Sequence, residues 1–221
     1  HQPLFKLIEE IADKGKELAR DMYGLNGWAI HHNISIWREA YPSDGFVYWF
    51  FWNMSGPWLC NHIWEHYLFT KDVDFLKKYY PILKGSATFC SEWLIENSKG
   101  ELVTPVSTSP ENAYLMPDDT PASVCEGSTM DIAIIRSLFS NTIEASKILQ
   151  TDRDFRSELI KKRSKLKGYQ IGSKGQLLEW DKEYKESEPQ HRHVSHLFGV
   201  YPGCDITDNT PELFKAARKS L

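Results

Sequence analysis

With 221 residues, 13% of them aromatic and eight tryptophan, the chain can bury a sizeable core and is not a disordered segment. Its 26 basic residues against 30 acidic ones leave a net charge of −4, and the basic residues are dispersed, which argues against a nucleic-acid partner. No stretch reaches the ~20 apolar residues of a membrane span, so no membrane partner is expected either.

Leu4 to Tyr23 places Leu4, Ile8, Ile11, Ala12, Leu18 and Met22 at mostly helical spacing, and Gly24 and Asn26-Gly27 supply the stop. Trp28 to Trp37 has no clean period and reads as an extended or irregular segment. It contains His31, His32 and Asn33. Tyr41 to Trp58 concentrates Trp49, Trp52, Trp58 and their aromatic neighbours around turn residues. Two readings stand: a packed aromatic corner, or a platform for the apolar faces of sugar rings. Ser55 is the expected N-cap of a helix running through Tyr67, with Pro57 in its first turn. A second helix follows from Asp72 to Leu94, which Pro81 is expected to split or kink. The two form an αα-hairpin turning at Thr70-Lys71.

Beyond the Gly100 stop lies Thr104-Pro105-Val106-Ser107-Thr108-Ser109-Pro110-Glu111-Asn112, a hydroxyl-rich loop that proline keeps out of any helix. It presents one carboxylate, Glu111, and reads either as a surface turn or as a rigidly held catalytic loop. Met116 to Gly127 is polar and irregular. Ser128 then caps a long helix to Leu149, and Asp152 opens another through Leu166. A second long loop, Gly168 to Trp180, carries Glu179 beside an indole. A charged connector leads to His191-Arg192-His193-Val194-Ser195-His196, and Thr210-Pro211 starts a last helix. No alternating strand runs are visible. Paired helices with long decorated loops predict an all-α array with its functional loops at one end.

Glu111 and Glu179 are the loop carboxylates suited to acid chemistry, since glycoside hydrolysis needs an acid for the leaving oxygen and a second group for water. The histidine–arginine run admits three readings: metal ligands, donors to a polyhydroxylated ligand, or a structural network. His31, His32 and Asn33 admit the same three. No His-Glu-x-x-His set completes a metal site, and no phosphate-binding glycine loop or Gly-x-Ser-x-Gly elbow is present, so neither metal nor cofactor is expected. Cys60, Cys90, Cys125 and Cys204 form no CxxC pair.

Five landmarks in order, Gly27-Trp28-Ala29-Ile30-His31-His32-Asn33, Trp58 to Tyr67, Ser109-Pro110-Glu111-Asn112, Gly175 to Trp180 and His191 to Leu197, resemble glycoside hydrolase family 95, the inverting α-L-fucosidases. The resemblance covers nearly the whole chain. It implies part of an (α/α)6 barrel that hydrolyses terminal α-1,2-linked L-fucose of a fucosylated glycan with inversion. Glu111 inherits the general-acid role. His191 or His193 inherits a sugar contact, with Asn112 and Arg192 beside them, and Trp49 or Trp58 falls in the region of a pocket tryptophan. His31, His32 and Asn33 are expected at the same end of the barrel. Glu179 is expected to support the site or a subsite. The family's water-activating Asn-x-Asn motif and supporting aspartate would lie before His1 and after Leu221. Residues 1–221 therefore read as a single partial domain, the central portion of the barrel. The isolated fragment is expected to be poorly stable or inactive, and fucose release by it would overturn that. A secreted or periplasmic setting is the family expectation. An α-L-galactosidase of the same family, or a non-catalytic carbohydrate-binding helical fragment, are the alternatives.

Overall fold

The computed structural model describes residues 1–221 as a predominantly helical chain of seven α-helices, with five strands of two residues each. The helices are α1 (Gln2–Leu18), α2 (Val47–Phe50), α3 (Ser55–Thr70), α4 (Val73–Trp93), α5 (Thr129–Ile148), α6 (Arg153–Lys165) and α7 (Pro211–Ser220). The strands are β1 (Ile95–Glu96), β2 (Leu102–Val103), β3 (Tyr114–Leu115), β4 (Pro121–Ala122) and β5 (Lys185–Glu186). A two-residue strand cannot show the alternation that marks strands in a sequence, so these were invisible there. The chain divides into two compact units, and the division falls inside α5, after Ile134.

The first unit comprises residues 1–43, 53–94 and 135–165. In α1 the buried residues Phe5, Ile8, Ile11, Ala12, Gly15 and Leu18 recur every three to four positions, which puts them on one stripe facing the core. A five-residue π-helical turn, Ala19–Tyr23, extends α1 until Gly24 ends it at φ +66°. α3 and α4 form the expected hairpin. Lys71 closes α3 in the left-handed region (φ +55°), and the Asp72 carboxylate accepts from the Phe75 amide at 2.9 Å to cap α4.

Two expectations need correction here. Ser55 is the first helical residue of α3 rather than its cap, a place Met54 takes. Pro81 does not break α4, which continues to Trp93. The proline sits on the exposed side, where the carbonyl it fails to pair can bond water. The opposite side buries Phe75, Leu76, Tyr79, Tyr80, Leu83 and Ala87. Burying six such side chains at ~1.5–3 kcal/mol for each large one exceeds the ~3 kcal/mol that an interior proline costs. The buried Trp28 donates from Nε1 to Ile82 O at 2.8 Å, and Lys84 bridges to Asp152 at 2.7 Å, tying the end of the α5–α6 turn to α4.

The second unit comprises residues 44–52, 95–134 and 166–221. It holds two small antiparallel sheets, β1–β2 and β4–β3–β5. The sheet β4–β3–β5 covers a cluster of Tyr114, Cys125 and Trp180. There Tyr114 stacks on Tyr184 at 3.9 Å between ring centres and meets Trp180 edge-on at 4.9 Å. A second cluster joins Leu177, Leu197 and Ile206 to Ala216 and Ala217 of α7. The polar stretch 116–127 is thus partly strand, with Pro121-Ala122 paired to Leu115 and Tyr114.

Candidate active site

The loop 104–112 is anchored in the second unit by its backbone and by two carboxylates, one fully buried and one mostly buried. Ser107 forms an isolated antiparallel bridge with Cys125, and the Gly127 amide donates to Thr104 O at 2.9 Å. Thr104, Ser107, Thr108 and Ser109 are all buried; the hydroxyls of Thr104, Ser107 and Ser109 find carboxylate partners inside the protein, whereas Thr108 Oγ1 has none. Ser107 Oγ donates to the carboxylate of Asp131 at 2.5 Å, and Thr104 Oγ1 reaches the same oxygen at 3.4 Å. Trp52 Nε1 donates to the other oxygen at 2.9 Å. Asp131 is fully buried in the first turn of α5, and burial pushes its carboxyl up to about 6 against the pull of these donors.

At the far end of the loop Glu179 takes the second hold. Ser109 Oγ donates to it at 2.6 Å and Asn112 Nδ2 at 2.9 Å, one to each oxygen. Glu179 is held in turn through its backbone, where its carbonyl accepts from the Thr129 amide at 3.0 Å. Burial raises its carboxyl above the usual range, opposed by the Ser109 and Asn112 bonds. His196 Nδ1 stands 3.9 Å from Glu179, but burial lowers that imidazole to about 4 and so keeps it neutral. The approach is therefore not an ion pair at neutral pH.

Glu111 lies between Ser109 and Asn112, the two residues that Glu179 grips. Its side chain is partly exposed, and the Pro110–Glu111 peptide is cis. Arg192 Nη2 donates to Glu111 Oε2 at 2.5 Å and His193 Nε2 approaches the same oxygen at 3.5 Å. Ser195 Oγ donates to Pro110 O, so the segment 192–195 meets the loop at successive points. The His193 amide donates to His191 Nδ1 at 3.1 Å, which fixes one imidazole against the other. A cavity of about 330 Å³ opens here, lined by Asn112, Glu179, Trp180, His191, His193 and His196 among others.

Of the residues singled out from the sequence, the second unit brings together Glu111, Asn112, Glu179, His191, Arg192 and His193. Trp49 belongs to the same unit, on the short α2, with its ring over Gly45. His31, His32, Asn33 and Trp58 belong to the first unit. His31 is fully buried there, with Nε2 at 2.8 Å from the Tyr23 hydroxyl and Nδ1 at 3.3 Å from Ala40 O. A carbonyl only accepts, so Nδ1 carries the proton and Nε2 accepts from Tyr23. Burial lowers this imidazole to about 4. Asn33 is exposed and donates to Ser43 Oγ at 3.1 Å. No group of three or more His, Cys, Asp or Glu side chains is placed to hold a metal ion. The sequence reading missed Asp131 and the Trp52 indole that serves it.

Asp131 gives a pH prediction. Its carboxyl rises from an ordinary 3.8 to about 6 on folding, so the folded state binds the proton more tightly. Acidification from about pH 6 towards 4 therefore stabilises the fold through this group, by up to about 3 kcal/mol. His31 and His196, held near 4, act oppositely over about 6.5 to 4, because the unfolded chain takes up the proton first. The wild-type profile mixes these terms, and the difference between wild type and Asp131→Asn isolates one. Thermal unfolding at pH 7 and pH 5 is expected to show wild type gaining stability relative to Asp131→Asn at the lower pH.

Within the second unit, loops that follow α4 and α6 bring a carboxylate, an arginine and two histidines together, with the histidines lining a cavity. The family model for the glycosyl hydrolase family 95 catalytic domain matches residues 1–221, and the chain belongs to that family. It is 43% identical to alpha-L-fucosidase 2 of Arabidopsis thaliana over its whole length, which is 26% of that protein. It is 30% identical to the probable alpha-fucosidase A of Aspergillus niger over 93% of the chain, again 26% of the relative. The chain thus spans about a quarter of the length of these curated relatives.

Proposed function

We propose that this chain is the central portion of an (α/α)6-barrel catalytic domain of an α-L-fucosidase, cleaving terminal α-1,2-linked L-fucose from glycans with inversion. The observation that carries the reading is the setting of Glu111. It is a partly exposed carboxylate in a loop fastened at both ends, beside Arg192 and His193, and its chain neighbour Asn112 and His193 line a cavity. The names of the family relatives supply the sugar. In this reading Glu111 protonates the departing glycosidic oxygen while water attacks the opposite face of the sugar ring, which inverts the anomeric centre. Arg192, His191, His193 and Asn112 are donors suited to sugar hydroxyls, and Glu179 holds the loop. Trp49 in the second unit and Trp58 in the first are the candidate sugar-stacking rings, and His31, His32 and Asn33 in the first unit are further candidate sugar contacts. Water activation falls to residues outside positions 1–221.

The test is hydrolysis of 2′-fucosyllactose by the full-length protein, with the released sugar followed by NMR. β-L-Fucose as the first product supports the proposal, and α-L-fucose would replace inversion with retention. Cleavage of an α-L-galactoside in preference to the fucoside would move the substrate to the C6-hydroxylated sugar. Ligand binding without turnover would make the domain a carbohydrate-binding one.

A further inference from the structure

The loop that carries Glu111 has two holds, and the one at Asp131 is costly. A carboxylate removed wholly from water loses several kcal/mol of hydration, which a few neutral hydrogen bonds only partly return. A neutral residue at this position would avoid that cost. Yet the sequence places a charge there, facing Ser107 and Thr104 of the loop on one side and the Trp52 indole on the other.

We propose that Asp131 is a positioning residue for the catalytic loop: by accepting from Ser107, Thr104 and Trp52 it sets the line of residues 104–110, and so the place of the Glu111 carboxylate beside Arg192 and His193. This rests on the reading of Glu111 as the general acid. The physical basis is charge assistance. Hydrogen bonds to an ionised acceptor are shorter and roughly twice as strong as neutral ones, and the 2.5 Å Ser107 contact has that length. Ser107 Oγ also lies 2.9 Å from Ser128 Oγ and 3.1 Å from Thr108 O, so its hydroxyl has competing acceptors. The carboxylate decides which one the proton faces. Trp52 pins the other oxygen, so the carboxylate cannot rotate to follow the loop. Among the titratable groups near Asp131 is Cys125, whose thiol is kept protonated first by burial and then by the charges of Asp181 and Asp131.

The experiment compares Asp131→Asn, Ser107→Ala and Glu111→Gln in the full-length protein on two substrates. 2′-Fucosyllactose has a poor leaving group that needs an acid, whereas α-L-fucosyl fluoride departs with little protonation. A residue acting through the acid must lose more on the first substrate than on the second. Asp131→Asn is expected to lower kcat on 2′-fucosyllactose at least tenfold, with KM within about threefold and a much smaller loss on the fluoride. Ser107→Ala is expected to follow it in the same direction. An equal loss on both substrates, or none on either, would overturn the proposal while leaving the acid assignment to the Glu111 variant. If Glu111→Gln itself keeps full activity on 2′-fucosyllactose, the acid assignment falls first. A folding failure of Asp131→Asn shows in its thermal transition, and Ser107→Ala then carries the test.

Discussion

Glu111→Gln in the full-length protein is expected to slow 2′-fucosyllactose hydrolysis by ~10²–10⁴-fold while ligand binding persists. The substitution keeps the length and shape of the side chain and leaves an amide oxygen to accept from Arg192 Nη2, now 2.5 Å from the carboxylate. What it removes is the exchangeable proton. A positioned general acid contributes ~10²–10⁴ in rate, equivalent to about 3–5 kcal/mol of transition-state stabilisation. The ion pair with Arg192 cannot account for a loss of that size. Arg192 is mostly exposed, and a pair of that kind is worth roughly 0–1 kcal/mol. Thermal unfolding of the variant should therefore stay close to wild type, and α-L-fucosyl fluoride should be largely spared. Equal rates for variant and wild type on 2′-fucosyllactose would remove the acid role from Glu111 and leave residues 104–112 a structural loop.

The sequence makes some parts of this site legible and hides others, for reasons that differ by residue. Glu111 could be found because Pro105 and Pro110 exclude helix in the residues leading up to it, leaving a carboxylate in a loop. Arg192 and the histidines stand out by density in a connector. α1 and α4 are legible because their apolar residues repeat at helical spacing, and tertiary packing agrees with that repeat. Asp131 carries no such sign. An acid in the first turn of a helix is what the helix dipole favours in any case, so Ser128-Thr129-Met130-Asp131 reads as an ordinary N-terminus. Its actual partners lie 79, 27 and 24 residues away in Trp52, Thr104 and Ser107, and no local pattern joins them. Glu179 was visible as a loop carboxylate, but its bonds to Ser109 and Asn112 span about 70 residues. His31 shows the converse. A histidine pair beside an asparagine looks like a ligand set, while in the fold His31 meets the core through Tyr23 and Ala40.

Trp28→Ala is expected to destabilise the protein by ~3–5 kcal/mol, the usual cost of truncating a buried large aromatic residue. Trp28 is 1% exposed, and its ring lies against three glycines from three separate helices. A Cβ built on Gly56 would fall 2.7 Å from Cζ3, one on Gly85 2.9 Å from Cδ1, and one on Gly15 3.0 Å from Cε3. The indole thus fills space that those positions leave by lacking side chains, and its Nε1 also donates to Ile82 O. Against a typical total of about 5–15 kcal/mol, the loss is roughly a fifth or more of the stability. In thermal unfolding of the full-length protein it should appear as a drop of roughly a few °C, since the shift per kcal/mol falls with chain length. Trp28→Phe should cost less, because it keeps most of the ring volume and gives up only the indole bond. The same geometry makes Gly56→Ala destabilising alone, since its methyl group would press on the ring. In the Trp28→Ala background that methyl group enters vacated space, so its cost should vanish or change sign. A strong non-additivity between the two sites would mark the contact as the cause. If the two losses simply add, the ring and Gly56 do not constrain each other, and the stability of the first unit must rest on other parts of its core.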